Sequence, residues 1–253
     1  GVAVVDCIGQ MVNLMAHRGP DHSAHWSNEG IALGHARLSI IDTSSSSNQP
    51  FWDETGRYCL VYNGEIYNYH SIKERLVSEG ASFRSNGDTE VLLQALIHFG
   101  TNILSELEGI FAFCLFDQSD GSLLLARDKF GVKPLYYYAD DTQFMFASEY
   151  KSFLANPDFI ADVNFDTLFR TLLFMYNPGN ETAFTHINKV PAGCYILHKA
   201  NCAVVEINSY WDWPKYDPVR IFNADSQRRP VHLAICIICV TEGLGTAQTT
   251  AFC

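Results

Sequence analysis

The sequence predicts an α+β fold built on antiparallel sheets, and three observations carry that prediction. Short apolar runs come in pairs separated by turn residues, as the two arms of a hairpin do. Segments with a one-sided apolar stripe, the mark of a packed helix, lie between the pairs. Strands and helices do not alternate singly, so no parallel βαβ sheet is encoded.

Arg37 opens RLSIID, an apolar strand ending at Asp42. A further strand runs from Tyr58 to Tyr62 and stops at Asn63-Gly64. Asn-Gly is the strongest two-residue hairpin signal, yet SIKERLVSEG downstream has helical spacing, so the dipeptide reads as a strand end that faces something other than a second strand. The helix Ser71 to Ser78 carries Ile72, Leu76 and Val77 on one side and stops before Gly80, a residue suited to the left-handed turn after a helix.

Asp88 is placed to cap a helix from Thr89 to Phe99, whose stripe is Val91, Leu92, Ala95, Leu96 and Phe99, ended by Gly100. Ile110 to Asp117 and Ser122 to Ala126 form a hairpin around Ser119-Asp120-Gly121. Leu135 to Tyr138 and Phe144 to Ala147 flank a turn at Asp140 and Asp141. A helix follows from near Asp166 to Phe174, and Cys194 to His198 pairs with Ala203 to Ile207. From about Val219 the chain loses any sustained period, and residues 214–253 read as an atypical tail.

Composition removes several functions. The chain has 253 residues, a formal net charge of −11 and only 17 Lys plus Arg. No basic stripe is available to neutralise a phosphate backbone, so nucleic acid is not an expected partner. No apolar run approaches the roughly 20 residues of a membrane span, and the N-terminus has no basic leader region, so neither a membrane nor secretion is expected. The eight cysteines are scattered rather than spaced as a framework. Cys59 and Cys114 sit inside apolar strands as small hydrophobes, and a reducing cytoplasm is the expected compartment. Cys236 and Cys239 form a lone C-x-x-C with no second pair at zinc-site spacing, so no metal is expected.

The polar clusters point to chemistry. His17-Arg18-Gly19-Pro20-Asp21, Arg37, Asn63-Gly64-Glu65 and Asp88 each have an ordinary reading as an ion pair, a turn or a cap. Together they suit a zwitterion. An Arg fork binds a carboxylate through two parallel bonds, and a carboxylate such as Asp88 pairs an ammonium. An Asn side-chain amide beside an unobstructed Gly N–H supplies two donors to an oxygen that gains charge in a tetrahedral state.

The motifs AHRGPD, RLSIID, NGEIYNYHSIKERL, SNGDTEVLLQAL, ELEGIFAFCLFD, ARDKFGVKPLYYY and ASEYKSFL, in this order over about residues 1–213, resemble the glutaminase domain of glutamine-hydrolysing asparagine synthetases. Sister class II amidotransferases are less similar. They favour a His-x-Arg followed by an aromatic residue and a His-Asn-Gly, where this chain has His35-Ala36-Arg37-Leu38-Ser39 and Tyr62-Asn63-Gly64. The resemblance implies an N-terminal nucleophile hydrolase fold, a four-layer α-β-β-α sandwich of two antiparallel sheets.

It also implies roles for individual residues. Arg37 holds the glutamine α-carboxylate, with Leu38, Ser39, Ile40 and Ile41 lining the site. Asp88 takes the α-ammonium, Glu65 orients the substrate, and Asn63 with Gly64 forms the oxyanion hole. The nucleophile of such a domain is a cysteine at the mature N-terminus, whose own α-amine shuttles the thiol proton. Gly1 aligns with the second glycine of the Cys-Gly-Ile-x-Gly opening, so that cysteine is expected to precede Gly1 by about four residues. Cys7 lies beyond the first strand that the resemblance implies, lacks a free α-amine and is no substitute.

The expected partners are L-glutamine and a C-terminal synthetase domain that uses ATP and Mg²⁺, neither of which this chain itself would hold; a homodimer is allowed. The chain alone is expected to be a truncated, inactive form. The competing expectation is an amidotransferase-like domain without catalysis that binds an amino acid or a partner.

Overall fold

The computed structural model describes residues 2–28, 30–38, 45–199 and 205–213, without the side chains of 2–6 and 45. The chain divides into a compact unit, Gly1–Asp212, and a second, Trp213–Cys253, of which all but the first residue lie outside the described part. The Cys236–Cys239 pair lies there too.

The compact unit begins with helix α1 (Val2–Leu14). The N-terminal segment is therefore helical where a strand end is expected, because Ile8, Met11 and Val12 recur at helical spacing and are buried on one face. A tight hairpin follows, β1 (His22–Asn28) with β2 (Ile31–Arg37). Arg37 thus closes a strand instead of opening one, and residues 39–44 lie outside the described residues. Next come β3 (Phe51–Trp52), β4 (Tyr58–Ile66), α2 (Tyr69–Ser78) and α3 (Asp88–Phe99). Asp88 is the first residue of α3 and not its cap, which is Gly87.

The remaining strands are β5 (Gly109–Asp117), β6 (Ser122–Arg127), β7 (Tyr136–Ala139) and β8 (Phe144–Ala147), then α4 (Phe165–Phe174), β9 (Ile187–Lys189), β10 (Cys194–His198) and β11 (Glu206–Ser209). The last strand runs Glu206–Ser209, past the expected end at Ile207, and residues 200–204 lie outside the described part.

The six-stranded sheet has the order β11-β10-β6-β5-β4-β3, and every neighbouring pair in it is antiparallel. Its strands alternate as period two requires. Leu60, Tyr62, Phe111, Phe113 and Leu115 face α2 and α3, where Leu76, Leu92, Leu93 and Leu96 complete a core. Cys59, Val61, Ala112, Cys114 and Phe116 face the other way, onto Leu33 of β2, Leu135 and the rings of Phe144 and Phe146. The opposite face of that second layer, with Tyr138 and Met145, packs on Ile8 and Met11 of α1 and on Phe153 of a 3₁₀ turn, Tyr150–Ala155. The layers therefore run helix, sheet, sheet, helix.

The second β layer is two pieces among the described residues, β1-β2 and β8-β7-β9. β2 and β8 are each an edge of their piece, and residues of both line one cavity.

Candidate functional site

The site is built on the outer edge of β4. The ladder pairs Tyr62 with Phe113 and Gly64 with Phe111. Antiparallel strands alternate pairs that exchange backbone bonds with pairs that do not. Tyr62 belongs to the second kind, since its N–H goes to Gln49 Oε1 at 2.6 Å, off the β5 side. Ile66, four residues on, likewise gives its N–H to Asp88 Oδ2 at 3.0 Å. Gly64 lies between them with the same parity, so its N–H points the same way, into the cavity. Asn63-Gly64 is therefore inside a nine-residue strand rather than at the end of one.

Glycine is obligatory at 64. Its φ is 153°, and a Cβ there would stand 2.1 Å from the Ile110 carbonyl oxygen and 2.7 Å from Phe111 Cα. A hairpin turn does not explain the dipeptide; close approach of two strands does.

Two side chains from outside the strand hold this edge. Gln49 grips the Tyr62 peptide at both ends, its Nε2 donating to the Tyr62 carbonyl at 3.0 Å. His35 Nε2 lies 3.0 Å from the same carbonyl. A carbonyl only accepts, so Nε2 carries the proton and Nδ1 is left as a bare acceptor, buried without a hydrogen-bond partner. Burial lowers the His35 pKa to about 4, with nearby Arg37 and His22 adding to the effect and the bond to Tyr62 opposing it. The ring is neutral at pH 7.

Arg37, at the end of β2, is buried and donates from Nη1 to Asn48 Oδ1 at 2.6 Å. Asn48 and Gln49 are adjacent, so one short segment fixes both the cation and the Tyr62-Asn63 edge. Asp88 is buried too, accepting from the Tyr62 hydroxyl at 2.7 Å as well as from Ile66. Burial raises its pKa, and the bonds from Ile66, Tyr62 and the first amides of α3 oppose the rise. A carboxylate in that condition gains from an ammonium brought beside it.

These groups meet on one cavity of about 520 Å³, within the usual size of a small-molecule site, about 300–1,000 Å³. Arg37, Leu38, Asn63, Gly64, Glu65 and Asp88 all line it. Ser39, Ile40 and Ile41 lie outside the described residues. The sequence reading did not single out Gln49 or Asn48, because a polar stretch, SSSSNQP, carries no spacing signal. Cys7 is buried in α1 and is not among the lining residues. Cys114 does line the cavity, but burial pushes its thiol well above the ordinary range, as it does for Cys59, and a protonated thiol is a poor nucleophile.

The loop after β6 has a structural task. Asp128, fully buried, accepts from the amides of Phe130, Val132 and Lys133 at 2.9–3.0 Å and of Phe111 at 3.3 Å. Arg127 donates to the carbonyls of Lys133, Gly131 and Val190. This pair shapes the turn that carries Lys133 and Leu135 to the cavity wall.

The structure is thus a helix–sheet–sheet–helix sandwich in which a buried Arg, a buried Asp and the Asn63-Gly64 pair line one cavity. The chain belongs to the glutamine amidotransferase domain family, whose profile matches residues 3–211. It is 38% identical over 214 residues to Amidase chry2 of Gibberella zeae, covering 83% of this chain and 31% of that protein. It is 38% identical over 188 residues to asparagine synthetase [glutamine-hydrolyzing] 1 of Bacillus subtilis, covering 74% of this chain and 29% of the relative. The chain thus spans about a third of the length of these curated relatives. Among solved structures, glutamine phosphoribosylpyrophosphate amidotransferase from B. subtilis shares the fold, with a TM-score of 0.51 at 21% identity over 70% of this chain and 34% of that one.

Proposed function

We propose that the cavity binds L-glutamine and serves release of its amide nitrogen as ammonia, as the glutaminase part of an asparagine synthetase. Residues 1–213 are the amidotransferase domain in this reading, acting in the cytoplasm and needing no metal or cofactor of their own. Amidation of aspartate, with ATP and Mg²⁺, belongs to the further chain such relatives carry. The observation that carries the reading is the convergence of Arg37, Asp88 and the Asn63-Gly64 donors on one cavity.

Arg37 holds the α-carboxylate and Asp88 the α-ammonium, which fixes the side chain along the β4 edge with Glu65 beside it. The γ-carbonyl oxygen then meets Asn63 Nδ2 and the Gly64 N–H. In this reading the nucleophile is an N-terminal cysteine preceding Gly1. Its thiol proton passes through the α-amine to the departing nitrogen, the carbon–nitrogen bond breaks as the thioester forms, and water returns glutamate. Two donors preorganised for the oxyanion lower that barrier by about 3 kcal/mol each.

Titrating L-glutamine into the 253-residue chain, followed by amide-¹⁵N ammonia release, tests this. The chain should bind glutamine without turnover, and the same chain preceded by Cys-Gly-Ile-Ala should release glutamate and ammonia in equal amounts. Failure to bind glutamine at millimolar concentration refutes the site. Equal turnover without the added cysteine refutes the assigned nucleophile.

A further inference from the structure

Helix α4 is turned inside out. A surface helix normally lays its apolar stripe on the core. Phe165, Leu168, Phe169 and Leu172 stand at i, i+3, i+4 and i+7, on one face, and are 77, 36, 67 and 77% exposed. The buried residue of this helix is Thr167. Polar bonds hold it: Asn164 Oδ1 accepts from Thr167 N at 3.0 Å, Thr167 Oγ1 donates to Glu181 at 3.3 Å, and Arg170 pairs with Glu181. The exposed apolar run continues through Leu173, Phe174, Met175 and Tyr176, and Ile160 and Val163 precede it. Scattered apolar side chains on a surface are ordinary; a continuous run of this kind marks a contact.

We propose that the α4 face seats the further polypeptide that the longer relatives carry beyond their amidotransferase part, in a permanent contact. This rests on the amidotransferase reading above and adds the surface through which it is joined. The matched region is 31 and 29% of the two curated relatives, so each has more than twice as much chain again to place against it. Obligate interfaces resemble a core cut in half, whereas transient ones are polar, and this face is almost wholly apolar. A lipid surface fits poorly. Interfacial helices set Lys and Arg along their polar side, while α4 offers Asp166 and an Arg170 already paired with Glu181, on a chain of net charge −11.

The test uses the full chain and, as partner, the part of the B. subtilis asparagine synthetase outside the matched region, its folding checked by circular dichroism. Sedimentation and calorimetry should show a one-to-one complex. The Phe169→Asp, Leu172→Asp double variant should weaken it at least tenfold while keeping the wild-type far-UV spectrum and the wild-type melting shift on adding L-glutamine. No complex at 50 µM, or a complex equally strong with the variant, overturns the proposal. So does self-association abolished by the variant, which assigns the face to a second copy, or flotation with phosphatidylserine vesicles abolished by it. Complex formation without glutamine binding would leave the docking face standing and refute the cavity reading instead.

Discussion

Lowering the pH should destabilise this protein through His35. In the fold its pKa is about 4, against 6.5 when unfolded, because Nδ1 is buried without a partner and Arg37 is nearby. The folded pKa is depressed, so between pH 6.5 and 4 the unfolded chain binds a proton that the native ring refuses. His35 therefore costs nothing above the unfolded pKa, stability falls as pH drops through that window, and the loss levels off below the folded value. The gap between the two values, at about 1.4 kcal/mol per pH unit, is worth about 3 kcal/mol. His35→Gln keeps a donor for the Tyr62 carbonyl and removes the titration. Urea denaturation at pH 7, 6, 5 and 4 should show the wild type losing about 3 kcal/mol more than the variant across that range. Other groups titrate equally in both proteins and cancel in the comparison. If the two curves fall in parallel, the ring is not the buried neutral group described, and the account of the Tyr62 brace is wrong.

Four further positions probe the site and its scaffold. Gly64→Ala forces a Cβ to within 2.1 Å of the Ile110 carbonyl, so β4 and β5 must part at a cost of about 2 kcal/mol or more; an unchanged urea midpoint would refute the packing argument. Asp128→Ala orphans four backbone donors and should cost about 3–5 kcal/mol, with Asp128→Asn intermediate, and a loss near zero in calorimetry would remove Asp128 from that role. In the chain carrying the N-terminal cysteine, Asn63→Ala should lower kcat about 10²-fold with little change in KM. In the same chain, Arg37→Ala should weaken glutamine binding at least about tenfold, the worth of a charged hydrogen-bonded pair. A normal kcat for the first, or a normal KM for the second, rejects the corresponding role.

The period-two and helical patterns place β5, β6, β8, α2 and α3 to within a residue or two, because each buries a face that its own side chains announce; α4 is placed as closely by its spacing alone, although its apolar face is exposed. Arg37, Asn63, Gly64 and Asp88, which the structure brings to one cavity, stand out in the sequence by residue type, since few other residues supply a fork, paired donors or a counter-charge. The N-terminal segment misled because the helical spacing that decides it, Ile8, Met11 and Val12, lies beyond the apolar run GVAVVD, and packing of Ile8 and Met11 draws the whole segment into one helix. Asn63-Gly64 misled for a related reason. Local turn preference is small beside the close approach of Ile110 and Phe111, which demands glycine inside a strand.

By itself, then, the sequence determined the α+β class, the family motifs and the chemical types of the site, all properties of neighbouring residues and their spacing. Only the tertiary structure decided that Gln49 and His35 hold the Tyr62 peptide, that Arg37 and Asp88 share a cavity, and that α4 faces outward. Those depend on which buried polar atoms find partners and which apolar faces find cover, and such pairings join residues far apart in the chain.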